Sequence, residues 1–302
     1  MAINVRVTQQ SISTRVLTGL QHNQSRLADL QEKLSSGRQL NRPSDSPTGT
    51  VSALQLRGEI RAVQQYQRNA DNGLGWLGTL DSTLTSMSDQ VNRARDLTLQ
   101  GMSSGSGASV QSREALASEI DHLRESLIGL ANTTYLNRPV FGGDTAGPKA
   151  YDPATGTFAP TAPVGTVERV VAADSPVRVD LTGPEAFGAD GDPDQLFAVL
   201  AQIATHLRTD PGQLSTDLAN LDIAQDRLQT QLSGVGARYN RVSTMQQTAE
   251  DRLLTLSTQL SDVEDIDLPQ TVMDLRLQET AYEAALAASA KVIQPSLMDF
   301  LR

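Results

Sequence analysis

A chain of 302 residues with a formal net charge of −10 and a pI near 4.8 lacks the basic footprint needed to bind phosphate backbones or anionic membranes, so neither nucleic acid nor a membrane surface is an expected partner. The absence of cysteine removes disulfides, thiolate metal sites and cysteine nucleophiles. With 38% hydrophobic but only 4% aromatic residues, the cores are expected to be aliphatic, which suits helical bundles better than β-sandwiches.

The first residues, Met1 to Thr8, carry no apolar stretch ending in a small-residue cleavage site, and no apolar run approaches the ~20 residues of a membrane helix. By these cues alone the chain reads as cytosolic. Apolar residues then recur three and four apart, the spacing of a helix that packs along one seam. Val16, Leu20, Asn23, Leu27, Leu30 and Leu34 form the first such seam. Asn23, its polar member, either sets the register among neighbours or is simply exposed. Gly37, Pro43 and Pro47 punctuate a loop. There Gly37 ends a helix, and Asp45 or Ser46 caps the helix that restarts at Pro47.

A second seam runs through Leu77, Leu80, Leu84, Met87, Val91, Ala94 and Thr98, up to the flexible stretch from Gly101 to Gly107. Within that stretch Gly101-Met102-Ser103-Ser104-Gly105 matches a nucleophile elbow, but the elbow needs a strand before it and here a helix precedes, so an interhelix turn is expected. Leu116, Ile120, Leu123, Leu127, Leu130 and Thr134 repeat the helical rule before Pro139.

Between 142 and 193 proline and glycine become dense, and two β-branched stretches appear, Val167 to Val171 and Val177 to Leu181. This predicts a turn-rich β insertion, too short for a large core, that leans on the bundle or on a neighbour. Asp190-Gly191-Asp192-Pro193-Asp194 hints at calcium but lacks the following glycine and glutamate of a calcium loop, so helix-start capping is expected. His22, His122 and His206 are too far apart for a local metal cluster and read as surface or packing residues. No catalytic, cofactor-binding or metal-binding residues are expected.

The longest seam is Leu214, Leu218, Leu221, Gln225, Leu228, Leu232, Val235, Tyr239, Val242, Gln246, Ala249, Leu253, Leu256, Leu260 and Val263. A continuous helix there would be about 75 Å long at 1.5 Å per residue, with Gly234 and Gly236 marking a possible bend. The acidic run from Asp262 to Asp267 reads as a solvated face or a partner contact. After Pro269 a last helix from Thr271 to Ile293 is alanine-rich over 281–290. On it and beyond, Met273, Leu277, Ala284, Ala287, Leu297 and Phe300 are the candidate assembly residues. For residues 13–34, burial and hydrogen bonding roughly offset the cost of ordering, and without a partner the burial vanishes. Both ends are therefore expected to be disordered in the monomer and to order against each other in an assembly.

The expected fold is mainly α: a long discontinuous helical bundle or coiled-coil rod built from N- and C-terminal segments, with a small β-rich central insertion. Residues 1–40 with 266–302 would form a terminal assembly domain, 41–141 with 194–265 the helical rod, and 142–193 the insertion.

The string from Leu34 to Gly49, Leu-Ser-Ser-Gly-Arg-Gln-Leu-Asn-Arg-Pro-Ser-Asp-Ser-Pro-Thr-Gly, resembles a loop of the flagellin family, carried here by Gly37, Asn41, Arg42, Pro43, Ser44, Asp45, Pro47 and Gly49. Ser46 and Thr48 depart from that family's usual Asp-Asp-Pro-Ala-Gly ending. Arg68-Asn69-Ala70-Asp71-Asn72-Gly73 resembles a second family motif with two polar residues exchanged. Leu130-Ala131-Asn132-Thr133 followed by Phe141-Gly142-Gly143, and the tail through Val263 to Asp267, Tyr282 to Leu286 and Ser296 to Leu301, resemble the family's hook–filament junction branch. The resemblance implies a structural subunit of the bacterial flagellum, with no enzymatic activity and no cofactor. It implies as partners other copies of itself, the first hook-associated protein, flagellin and an export chaperone. It also implies export in an unfolded state through the flagellar type III apparatus with an uncleaved signal, hence an extracellular location. Filament flagellin and a generic coiled-coil scaffold are the rival readings.

Overall fold

The computed structural model describes residues 9–103, 109–145, 147–160 and 164–293. Among these, helices α1 (Gln9–Ser36), α2 (Pro47–Ser103) and α3 (Val110–Ala131) precede two short hairpins, β1 (Thr134–Tyr135) with β2 (Arg138–Pro139) and β3 (Glu168–Ala172) with β4 (Ser175–Arg178). Helices α4 (Gly183–Phe187), α5 (Leu196–Thr209), α6 (Leu214–Glu264) and α7 (Leu268–Ile293) follow. Among the described residues, those up to 61 group with those from 253 onward into one compact unit, and those between 62 and 252 form the other. Each unit thus joins segments from before and after the central insertion.

The core of the 62–252 unit follows from the second heptad seam. Leu77, Leu80, Leu84, Met87, Val91, Ala94 and Thr98 are all 0% exposed. Seven consecutive seam positions without solvent contact require neighbours on both flanks, and α3, α5 and α6 supply them through Ile120, Leu127, Leu200, Ile203, Leu207, Leu221, Leu228, Val235 and Val242. The polar member Thr98 is satisfied locally: its hydroxyl donates to the Ala94 carbonyl at 2.8 Å. Helix α6 runs unbroken through Gly234 and Gly236, whose missing side chains face open space. Thr134, placed by spacing at the end of the α3 seam, instead lies in β1, because α3 stops at Ala131 and Asn132 closes it with its backbone N–H on the Gly129 and Leu130 carbonyls.

The insertion leans on the bundle of its own unit, and it does so through rings. Tyr151 and Phe187 pack on Phe197 of α5 and Phe158 packs on Tyr151, with Tyr151–Phe197 centroids 5.0 Å apart and Phe141–Phe187 at 4.9 Å. Four of the chain's five phenylalanines sit in this cluster. The expectation of purely aliphatic cores is corrected here: aromatic residues are few, but they are concentrated where a small domain must bury much area with little chain. Burial pushes the Tyr151 hydroxyl pKa far up.

In the other unit, α1 and α7 pack side by side. Asp267 caps α7, accepting the Gln270 N–H at 3.1 Å, and Pro269 in the first turn loses no intrahelical hydrogen bond.

Candidate assembly interface

The first seam lies where its spacing puts it. Val16, Leu20, Asn23, Leu27, Leu30 and Leu34 are the half-buried residues along one stripe of α1, while most positions between them are exposed. On α7 the half-buried and buried positions Thr271, Leu275, Gln278, Tyr282, Ala285 and Ser289 again step 4-3-4-3-4, with Val272 half-buried beside the first of them. The two stripes meet at Asn23, whose carbonyl and side-chain oxygens both accept from the Gln278 amide at 3.3 Å. This polar pair links the two helices at a half-buried position of the seam.

The C-terminal candidates fall elsewhere. Met273, Leu277, Ala284 and Ala287 are all exposed, Met273 by 59% and Leu277 by 71%, so they do not face α1. Hydrophobicity picked the outer stripe of α7 because its inner stripe is largely polar or small. Leu297 and Phe300 lie outside the described residues. Each of the two end helices has the other as a partner within the chain. A two-helix pair buries only one stripe of each, so its stability stays marginal. In the isolated subunit, amides at 14–34 are accordingly expected to exchange roughly a hundredfold faster than those at 77–97, measured by hydrogen exchange and mass spectrometry. Equal protection would refute this.

The family-like loop is a compact connector. Gly37 takes φ 70, and its N–H donates to the Lys33 carbonyl at 2.9 Å, the left-handed ending expected of it. Ser46 caps α2, accepting the Gly49 N–H at 3.1 Å. Asp45 is not the cap: its carboxylate turns back to accept the Asn41 and Arg42 N–H groups at 3.1 and 2.8 Å. The Arg42 N–H, the largest influence, holds the Asp45 carboxyl below its usual pKa. Arg42 pairs with Glu32 at 2.8 Å, while Pro43 and Ser44 form the exposed turn. A side chain at Gly49 would come within 3.0 Å of Leu40 and Ser46. The loop is then laced to the α6–α7 linker: Gln39 N–H donates to Glu264 O at 2.6 Å and Ile266 N–H to Gly37 O at 3.2 Å. Arg57 holds the buried Glu264 carboxylate at 2.6 Å. The acidic run is therefore partly a structural clasp, not only a solvated face.

The second motif fastens the insertion to α2. Asn69 donates to the Val170 carbonyl at 2.8 Å, and the Asn72 side chain accepts from Arg169 at 2.9 Å. Asp71 accepts from Gln246 of α6. Asn132 of the third motif accepts the Ala150 and Tyr151 N–H groups, both at 2.9 Å, and donates to the Tyr151 carbonyl at 2.9 Å. Gly142 and Gly143 crowd Pro139 and Val164 so closely that a side chain at Gly143 would meet Val164 at 2.1 Å, and Gly143 takes φ 61. These motifs are joints.

Other candidates have structural employment. Asp190 accepts the Phe158 N–H, Asp192 accepts the Ala189 N–H, and Asp194 pairs with Arg227, so the three carboxylates serve separate contacts. His206 bonds the buried Asp217 at 2.6 Å, tying the last turn of α5 to the first of α6. His22 and His122 are exposed. Gly101, Met102 and Ser103 are the helical end of α2, with no strand before them. Among the described residues no three metal-ligating groups converge, and no helix is long and apolar enough to cross a membrane.

Residues 7–140 match the bacterial flagellin N-terminal helical region. Over its length the chain is similar to flagellar hook-associated protein 3 of Escherichia coli (strain K12), 24% identical across 94% of this chain and 96% of that protein. It is likewise similar to flagellin of Bacillus subtilis (strain 168), 23% identical across 96% and 97%. The fold resembles that of the flagellar junction protein FlgL from Legionella pneumophila, with a TM-score of 0.55 at 14% identity, over 70% of this chain and 99% of that one. Over residues 7–140 the chain thus resembles the flagellin N-terminal helical region, its similarity to hook-associated protein 3 and to flagellin runs nearly end to end, and these likenesses support a structural role in the bacterial flagellum.

Proposed function

We propose that this subunit forms the junction between hook and filament, assembling with copies of itself through its paired terminal helices. The observation that carries the reading is the outer stripe of α7, where Met273, Leu277, Ala284 and Ala287 stand exposed on a helix whose inner stripe is already occupied. An apolar stripe of this kind on a marginal helix pair is a surface for further chains. In this reading residues 1–40 with 266–302 act as the assembly domain, 41–141 with 194–265 as the helical body, and 142–193 as the insertion. The family-like loop, from Gly37 to Gly49, joins the first two parts. Partners are further copies, the first hook-associated protein, flagellin and an export chaperone. Marginal terminal helices suit export in an unfolded state without a cleaved signal.

The junction role is supported over the filament role by the tail motifs and by the Phe141-Gly142-Gly143 turn. Removing the gene is expected to leave hooks in place while flagellin is shed into the medium. Filaments still attached to hooks in such cells would overturn the junction role. The end-to-end similarity to Bacillus subtilis flagellin favours the second reading, filament subunit. Purified chains that polymerise alone into long filaments, with no flagellin shed on deletion, would establish it.

A further inference from the structure

Helix α1 ends at Ser36 and α7 begins at Leu268, and the segments that lead into the two are hydrogen-bonded to each other. Arg38 and Asp265 form an antiparallel bridge. Its bonds run from the Gln39 N–H to the Glu264 carbonyl at 2.6 Å and from the Ile266 N–H to the Gly37 carbonyl at 3.2 Å. Gly37, at φ 70, turns the chain out of α1 into the bridge, and Asp267 caps α7 directly after it. These residues lie in one compact unit with the helices they join. Both helices therefore start from a single joint, and little chain remains to be closed when they pair.

Glu264 fastens that joint. It is the last residue of α6, its carbonyl takes the Gln39 N–H, and its carboxylate receives Arg57 of α2 at 2.6 Å. The Glu264 side chain is 7% exposed and that of Arg57 41%, so a buried carboxylate is covered by an arginine that stands partly in water. A carboxylate buried this far stays seated only while its charge is compensated. Without Arg57 it turns out to solvent, and the end of α6 that carries one side of the bridge moves with it.

The seam between α1 and α7 does little to fix its own register. Its α1 side is mostly leucine, but its α7 side reads Thr271, Leu275, Gln278, Tyr282, Ala285 and Ser289. A slide of one heptad sets Thr271 or Ala285 opposite Asn23 in place of Gln278, and both are uncharged and smaller than glutamine. Helix seams separate their registers well when a single matched polar layer interrupts an apolar stripe, and this mixed stripe is not of that kind.

We infer that the bridge locked by Arg57 and Glu264 sets the register of the α1–α7 pair, a property of the chain itself that is independent of the assembly role proposed above. From the bridge the helices run in opposite chain directions, and Asn23 meets Gln278 about three to four turns out. Arg57 and Glu264 are thus positioning residues, which act on the pair through the joint.

The chain contains no cysteine and a single tryptophan, Trp76, which lies in the 62–252 unit. In the full chain, Asn23→Cys with Gln278→Cys joins on mild oxidation about tenfold faster, or more, than Asn23→Cys with Ala285→Cys, which only a slide of about 10 Å brings within disulfide reach. Both members of the polar pair are replaced in the first of these variants, so the preference does not come from their hydrogen bonds. Adding Arg57→Leu brings the two rates to within about threefold of each other. Adding Glu264→Leu as well restores the preference, because no carboxylate is left to expel and the backbone bridge reseats. A change that merely weakened the pair would slow both cross-links together and leave their ratio as it was. The urea midpoint of Trp76 fluorescence, which reads the other unit, stays the same throughout. A preference that survives Arg57→Leu overturns the inference, as do equal rates with Arg57 and Glu264 in place. So does failure of Glu264→Leu to restore it. Loss of the preference together with a lowered Trp76 midpoint assigns the effect to the 62–252 unit and likewise overturns it.

Discussion

Exchanging Met273 and Leu277 for aspartate leaves the thermal unfolding of the isolated subunit unchanged and removes the chain from the flagellum. Both side chains are largely exposed, so the monomer loses no packing. In an assembly that covers the outer stripe, each would contribute about 1.5–3 kcal/mol of burial. Aspartate forfeits that and adds a carboxylate to desolvate. At about 1.4 kcal/mol per tenfold, the pair together is worth roughly a hundredfold to ten-thousandfold in affinity for a neighbour. The check is the fraction of exported chain found in purified flagella rather than in the medium, with circular dichroism confirming the fold. Leu275→Asp is the contrasting variant: it sits in the inner stripe beside α1, and it should weaken the α1–α7 pair already in the monomer. Normal incorporation of the Met273, Leu277 double variant would show that the outer stripe faces water in the flagellum.

The contrast between the two faces of α7 also shows what the sequence could and could not convey. Heptad spacing located the seam of α2 residue by residue, because a helix buried on several sides keeps its stripe apolar apart from Thr98, which bonds its own backbone. On α7 the candidates fall on the face away from α1. A two-helix pair leaves its seam half wet, so Thr271, Gln278 and Ser289 serve there, and the hydrophobic residues mark the other face. Helix α5 was legible but left unread: Leu196, Phe197, Val199, Leu200, Ile203, Ala204 and Leu207 fall on one buried face at helical spacing. The aromatic cluster joins residues from 141 to 197 that composition counts but cannot bring together. The β1–β2 hairpin was hidden because its two-residue turn reads Leu136-Asn137 instead of the Asn-Gly or Asp-Gly that announces one. The family-like motifs were visible as strings, but their roles as joints, Asn72 to Arg169 or Asn132 to Tyr151, needed the fold.

Replacing Arg178 by leucine should destabilise the 62–252 unit by about 3–5 kcal/mol, the usual cost of stranding a buried charge. Arg178 Nε donates to Asp180 Oδ1 at 2.8 Å, and its two terminal nitrogens grip Glu185 at 2.9 and 2.6 Å. The Asp180 side chain is fully buried and its second oxygen has no hydrogen-bond partner, so Arg178 is its charge compensation. Arg238, whose pKa burial lowers, donates to the Asp180 and Gly234 backbone carbonyls, at 2.8 and 3.2 Å, and not to the Asp180 carboxylate. Adding Asp180→Asn to the leucine variant should therefore recover much of the loss, read as the urea midpoint of unfolding. Failure of the second change to help would mean that packing by the arginine stem, not charge, sets the cost. Glu185 gives the same network a pH signature. Arg178 is the main cause that holds its pKa down to about 2, against burial, from an ordinary 4.5. A depressed folded-state pKa stabilises the protein above the unfolded value and loses that contribution as pH falls toward the folded one. The stability difference between the unmodified subunit and Glu185→Gln should thus be constant near neutrality and shrink between pH 4.5 and about 2. Because Glu185 is partly exposed, solvent screening limits the difference to about 1 kcal/mol. A difference that persists unchanged down to pH 2 would show that the carboxylate's charge does not contribute, leaving only its hydrogen bonds to the Thr182 N–H and hydroxyl at 3.0 and 2.8 Å.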